Sequence, residues 1–188
     1  MMRISFAGLA FAAGLAAGAA RAAPVSDYSS IDPDVCEVTQ QDEESGSVWF
    51  ACPDFRGHEV VMLEGDLRFY LQIDDPQREK QLSGQTLAPF NRLGKVLEWR
   101  LGADGKAFAT IVRYHTQPDG GDGTYYDGQV LVVSKIGAEA CHVATVDARA
   151  NADANALARA AADRHAAAFD CETDTVLRVG KPGRSLGE

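Results

Sequence analysis

The sequence predicts an α+β fold. The expected core is a mostly antiparallel β-sheet of about six to eight strands, with one helix from the C-terminal half packed on it and two disulfides. Three observations lead there. Short apolar runs with period-two alternation recur along the chain and are joined by turn residues such as Gly102-Ala103-Asp104-Gly105, where Asp-Gly supplies the positive φ angles of a hairpin. Asn151 to Phe169 is rich in Ala, Leu, Arg and Asp and holds no Gly or Pro, as a helix requires. The four cysteines include no Cys-x-x-Cys pair. No βαβ rhythm appears, which argues against a nucleotide-binding parallel sheet.

In chain order, Met1-Met2-Arg3, the apolar run Ile4 to Ala20 and the small residues around Ala22 and Ala23 form the pattern of a signal peptide over residues 1–23. The apolar run is short for a membrane span, which needs about 20 residues, and no lipid-anchor cysteine follows it. The expected product is a Sec-exported, periplasmic or secreted protein without membrane insertion. Residues 24–33 are Ser-, Asp- and Pro-containing and are expected to be a flexible leader. Residues 34–180 then form one disulfide-stapled domain, and residues 181–188 a flexible tail.

Within that domain, Cys36-Glu37-Val38 and Ser47 to Cys52 are the first strands, around the acidic turn Gln40 to Gly46. His58 to Leu63 and Leu67 to Ile73 follow. In the second of these, Leu67, Phe69, Leu71 and Ile73 alternate with Arg68, Tyr70 and Gln72, so the first set is expected inward and the second outward. Gln77 to Asn91 is polar and reads as a long loop with one helical turn. Lys95 to Leu101 and Lys106 to His115 form a hairpin. After the glycine-rich loop Pro118 to Gly128 comes Val130 to Val133, a continuous β-branched run that fits a strand buried on both faces. Cys141 to Val146 is the next strand, with Asn151 or Asp153 as the helix N-cap. Thr175 to Val179 is a last strand.

Export makes disulfides the default use of four cysteines. Three pairings are open, and Cys36–Cys52 with Cys141–Cys171 is preferred because each pair brackets one local unit. The formal net charge is −9. Loss of residues 1–23 removes Arg3 and Arg21, so basic residues fall from 18 to 16 against 27 acids and the charge moves to −11. Such a field repels nucleic acid and anionic membranes and attracts cationic partners.

No P-loop, G-x-G-x-x-G, H-E-x-x-H or G-x-S-x-G motif is present. His58, Glu59, Glu64 and Asp66 share one hairpin and offer acid–base or metal chemistry, weighed against an ordinary charged edge. His115 and His142 would be cross-strand neighbours only if their strands pair, and two histidines alone make no metal site. Asp119, Asp122 and Asp127 suggest calcium, but the twelfth position from Asp119 is Val130 rather than Glu. Asn151, Asp153 and Asn155 likewise lack the Gly and Glu of an EF-hand loop. The sequence therefore assigns no cofactor. Arg68, Tyr70 and Gln72 on an outward strand face, with Tyr125 and Tyr126 in a loop, form the best candidate binding surface, since Tyr brings contact area at low entropic cost.

The segments CPDFRGHEVVMLEGDLRFYLQI, QTLAPFNRLGKVLEWRL, ATIVRY and ACHVATVDARANADANALARAAAD together resemble a set of small exported bacterial proteins of unknown function, a similarity that spans nearly all of the mature chain and implies no activity. The leading expectation is an acidic binding module in the periplasm, such as an inhibitor of a cationic envelope enzyme like a lysozyme, monomeric or homodimeric. The alternatives are a metal-dependent or acid–base hydrolase using His58, Glu64 and Asp66, and a passive envelope-structural protein.

Overall fold

The computed structural model describes residues 23–187. The expected signal peptide therefore lies outside the described residues, apart from its last position. Among these residues ten strands form two sheets, more strands than the sequence suggests. The larger sheet has the order β1 (Val25–Ser30), β6 (Asn91–Leu101), β7 (Ala107–Thr116), β8 (Gly128–Lys135), β9 (Cys141–Asp147) and β10 (Leu177–Arg178). All its pairings are antiparallel except β9 with β10. The smaller sheet is an antiparallel meander of β2 (Glu37–Gln41), β3 (Val48–Phe55), β4 (His58–Gly65) and β5 (Arg68–Ile73). One α-helix, α1 (Ala154–His165), forms among the described residues, after β9. Among the described residues no helix is long and apolar enough to cross a membrane.

The layering follows from side-chain alternation. Leu97, Trp99, Val112, Tyr114, Val130 and Val132 of the large sheet face Cys52, Val60, Met62, Leu71 and Ile73 of the small one, closing a sandwich core. The intervening residues Ala109, Ile111, Leu131 and Val133 face the other way, onto Ala154, Ala158, Ala161 and Ala162 of the helix. The run Val130 to Val133 is thus buried on both faces because its strand is the middle layer of three. The methyl-sized contact stripe lets α1 lie close to the sheet, where Cys141–Cys171 holds the segment that follows it. Cys36–Cys52 ties the start of the small sheet to β3. Both bridges are the expected pairs.

Several sequence expectations change in the folded chain. The segment expected as a leader is β1, an edge strand paired with β6 from Val25↔Leu101 to Ser30↔Val96. Its polar residues satisfy a partner strand, a role that hydropathy alone does not reveal. The segment expected as a tail is anchored. Asp147 accepts hydrogen bonds from the amide and hydroxyl of Ser185, at 2.9 Å each, and Asn151 accepts one from the Lys181 amide at 2.8 Å. Gly183 passes so near the Asp147 carboxylate that any Cβ there would collide with it. Leu67 stands in the turn before β5 and is 60% exposed rather than inward. Gln72 is only 2% exposed. The polar segment after β5 turns back toward this face, with the Arg78 guanidinium 4.1 Å from the Trp49 ring and donating to Gln40.

Glu98 and Arg100, outward in the strand alternation, are buried beneath the helix. Arg100 makes a bidentate pair with Asp163 of α1 (2.9 and 2.7 Å) and also donates to Ser26 and to the Pro24 carbonyl. Arg159 of the helix donates to Glu98 at 2.6 Å. This network joins helix, sheet and β1.

Candidate functional site

One end of the sandwich stays open. There the last residues of β4 and β7 meet the first residues of β5, β6 and β8, because antiparallel order returns alternate strand ends to the same side. Glu64, Leu67, Phe69, Phe90, Asn91, Arg92, His115, Thr116, Gln117, Asp127, Gly128, Gln129 and Arg149 line a cavity of about 650 Å³ at this end, within the usual range for small-molecule sites.

Its mouth is built by an unusual backbone. Leu67 and Phe90 have φ of 60° and 63°, the left-handed region that bulky residues avoid. Hydrogen bonds hold both there. The Leu67 carbonyl accepts the amides of Phe90 at 2.8 Å and Asn91 at 3.2 Å, while the Phe90 carbonyl accepts the Gln117 amide at 3.0 Å. The buried Asn91 side chain adds a second clamp. It accepts the Phe69 amide and donates to the carbonyls of Leu87 and Ala88. The outcome is two large apolar side chains in solvent, Leu67 at 60% and Phe90 at 46% exposure. Tyr125, 59% exposed, sets its ring against Phe90 with centroids 5.9 Å apart and planes at 65°, a favoured edge-on geometry.

The polar lining is of both signs. Arg92 and His115 are opposite each other on β6 and β7. The His115 imidazole is held below its ordinary pKa of 6.5 by burial, and then by the charges of Arg92 and Arg113, so it is largely neutral at pH 7. Arg149 follows β9, where its backbone amide donates to Asp147. Glu64 and Asp127 supply the carboxylates.

No family model, curated protein or solved structure matches this chain.

The residues singled out in the sequence are distributed as follows. Tyr125 belongs to the rim of the cavity. Tyr126 instead stacks against the Arg184 guanidinium at 5.1 Å and lines an adjoining pocket with Asp127 and Arg149. Arg68 pairs with Asp66 at 3.1 Å. Tyr70 is half-buried and Gln72 buried on the face of β5 opposite the core, so the five residues do not form one surface.

His58 stands at the start of β4 and Glu64 near its end, about 20 Å apart at the rise of a strand. The proposed trio of His58, Glu64 and Asp66 is not brought together. His58 Nδ1 instead lies 2.7 Å from an Asp74 carboxylate oxygen, with its ring 5.3 Å from that of Trp99. His115 pairs with residues of β6 and β8, and His142 is opposite Ser134 at the far end of β8, so those two histidines are not neighbours either. Asp119 and Asp122 accept the amides of Gly121 and Thr124, shaping the loop that carries Tyr125. Asn151 holds the Lys181 segment. No cluster of three metal-ligating side chains occurs among the described residues.

Sequence reasoning passed over Leu67, Phe90, Arg92, His115 and Arg149 as a set. The available signal was the placing of Leu67 after Asp66, and of Phe90 after Pro89, as large apolar residues inside turns.

Proposed function

We propose that this protein is an exported binding module that receives its ligand at the open end of the sandwich. The observation that carries this is the pairing of Leu67 and Phe90, two bulky side chains held exposed in a disfavoured backbone conformation at the mouth of a cavity. Strain of this kind costs about 1–3 kcal/mol per residue and clusters where binding requires it. Exposed apolar groups beside a concave, partly polar lining match the composition of ligand sites. Two disulfides suit the oxidising compartment that export implies.

The test is titration with the neutral fluorophore N-phenyl-1-naphthylamine. Enhancement of its emission by the protein, lost in Phe90→Gly and Tyr125→Ala while the melting temperature holds, supports the module. An unchanged signal in both variants removes it.

A second reading is a cationic macromolecule docking on the same rim, such as a basic envelope enzyme. It is favoured by the exposed carboxylates of Asp119 and Asp122 in the loop that bears Tyr125. Capture by charge steering weakens with salt. A complex with a lysozyme whose association rate is the same at low and high ionic strength would discard that reading.

A further inference from the structure

We infer that the open end of the sandwich takes a zwitterion with an apolar side chain, of the free amino acid or short-peptide class. The inference rests on the reading of this end as a binding site and names what fills it.

Four charged residues line the cavity, Arg92 and Arg149 with guanidinium groups and Glu64 and Asp127 with carboxylates. None of the four side chains has an ion-pair or hydrogen-bond partner among the described residues. Elsewhere the chain pairs its charges readily, as in Arg68 with Asp66, Lys95 with Asp32, and Arg159 with Glu98. Two charges of each sign thus share one concavity without neutralising one another.

A purely anionic ligand would find two guanidinium groups but also face two carboxylates. A purely cationic ligand would meet the reverse. A zwitterion opposes each group with its complement, its carboxylate taken by arginine forks and its ammonium by the acids. His115, largely neutral, leaves this balance unchanged and offers a hydrogen-bond partner beside Arg92. The apolar part of the lining, Leu67, Phe69 and Phe90, with Tyr125 against Phe90, suits an aliphatic or aromatic side chain and adds cation–π attraction for an ammonium group. The volume of about 650 Å³ accommodates one such residue or a few.

The experiment is isothermal titration of the disulfide-intact protein with four probes: L-phenylalanine, N-acetyl-L-phenylalanine, L-phenylalanine amide and the tripeptide Phe-Ala-Phe. The second probe keeps only the carboxylate and the third only the ammonium. L-Phenylalanine or the tripeptide should bind at least about tenfold more tightly than either single-charge probe, the loss of one charge-assisted contact corresponding to about that factor. The double variant Arg92→Gln/Arg149→Gln should lose at least about tenfold for the zwitterion and nothing for the amide. Its melting temperature should hold, because both side chains are exposed.

Tighter binding of the amino acid names a free amino acid, and tighter binding of the tripeptide names a peptide; both support the inference. Equal binding of either single-charge probe overturns it and leaves the binding module standing. Binding of the neutral fluorophore with no binding of any of the four has the same consequence. Failure of the fluorophore and all four probes removes the binding module as well.

Discussion

The Leu67 carbonyl accepts the Phe90 amide at 2.8 Å, joining two left-handed residues from separate loops into one rim. Neither side chain is needed for that bond, since backbone groups make it. Leu67→Gly and Phe90→Gly are therefore expected to keep the fold and to raise stability by up to about 1 kcal/mol each, through relief of the left-handed strain. Urea unfolding checks this. A fall of more than about 1 kcal/mol would show that the side chains serve packing rather than ligand contact.

The buried pair Arg100–Asp163 is expected to be the most sensitive polar contact of the helix layer. Asp163→Ala strands a guanidinium that is nearly inaccessible, with a side-chain exposure of 5%. The cost should be about 3 kcal/mol or more in urea. The double variant Arg100→Met/Asp163→Leu should recover most of it, because no unpaired charge is then left buried at that site. A single-variant loss below about 1 kcal/mol would mean that water reaches the site.

His142 sets a pH dependence. Burial lowers its pKa from 6.5 to about 4, so between those values the unfolded chain holds a proton that the folded chain refuses. Stability should rise with pH from about 4 to 6.5 and level off above, by about 3 kcal/mol in all. His115, also lowered, acts in the same direction. The contribution of His142 is therefore the difference between the wild type and His142→Leu, measured by urea unfolding from pH 4 to 8. Asp75 and Asp147 act lower still. Burial would raise their pKa values, but hydrogen bonds from Ser83 and from Ser185 and neighbouring amides outweigh it. Their stabilisation is lost only as pH falls below 3.8, outside the histidine window.

The bridge Cys141–Cys171 closes a separation of 30 residues. Its removal as Cys141→Ala/Cys171→Ala should cost about 3.5 kcal/mol by loop entropy. Because α1 lies inside the loop, amide exchange should quicken across Ala154–His165 before it does in β6 and β7. Uniform quickening would show that the helix does not unfold separately.

The anchoring of the final segment gives a last prediction. Ser185→Ala removes a hydroxyl that donates to Asp147 and accepts the Gln129 amide at 3.1 Å. A loss of about 1–3 kcal/mol is expected in urea, the usual consequence of leaving buried partners unsatisfied. An unchanged midpoint would mean that the segment docks without that hydroxyl.

The sequence by itself determined the fold class, the hairpins β2–β5 and β6–β9 and the helix, and it favoured the disulfide pairs that form. Each of these depends on local signals: alternation of period two, Asp-Gly turns, an alanine-rich run without Gly or Pro, and cysteines bracketing short units. Only the tertiary structure decided the rest. Ser26 to Ser30 are polar and still form a strand, because β6 supplies the missing ladder. Gln72, Glu98 and Arg100 follow an outward alternation but are buried, since a second layer covers their face and alternation records only which side a residue takes. The binding end was hidden for the same reason. Its residues come from the ends of β4, β5, β6, β7 and β8, from the connecting turns and from Arg149 after β9, so no window of sequence contains them. They meet because antiparallel strands return their ends to one side, and hydrogen bonds between distant backbone groups hold Leu67 and Phe90 exposed.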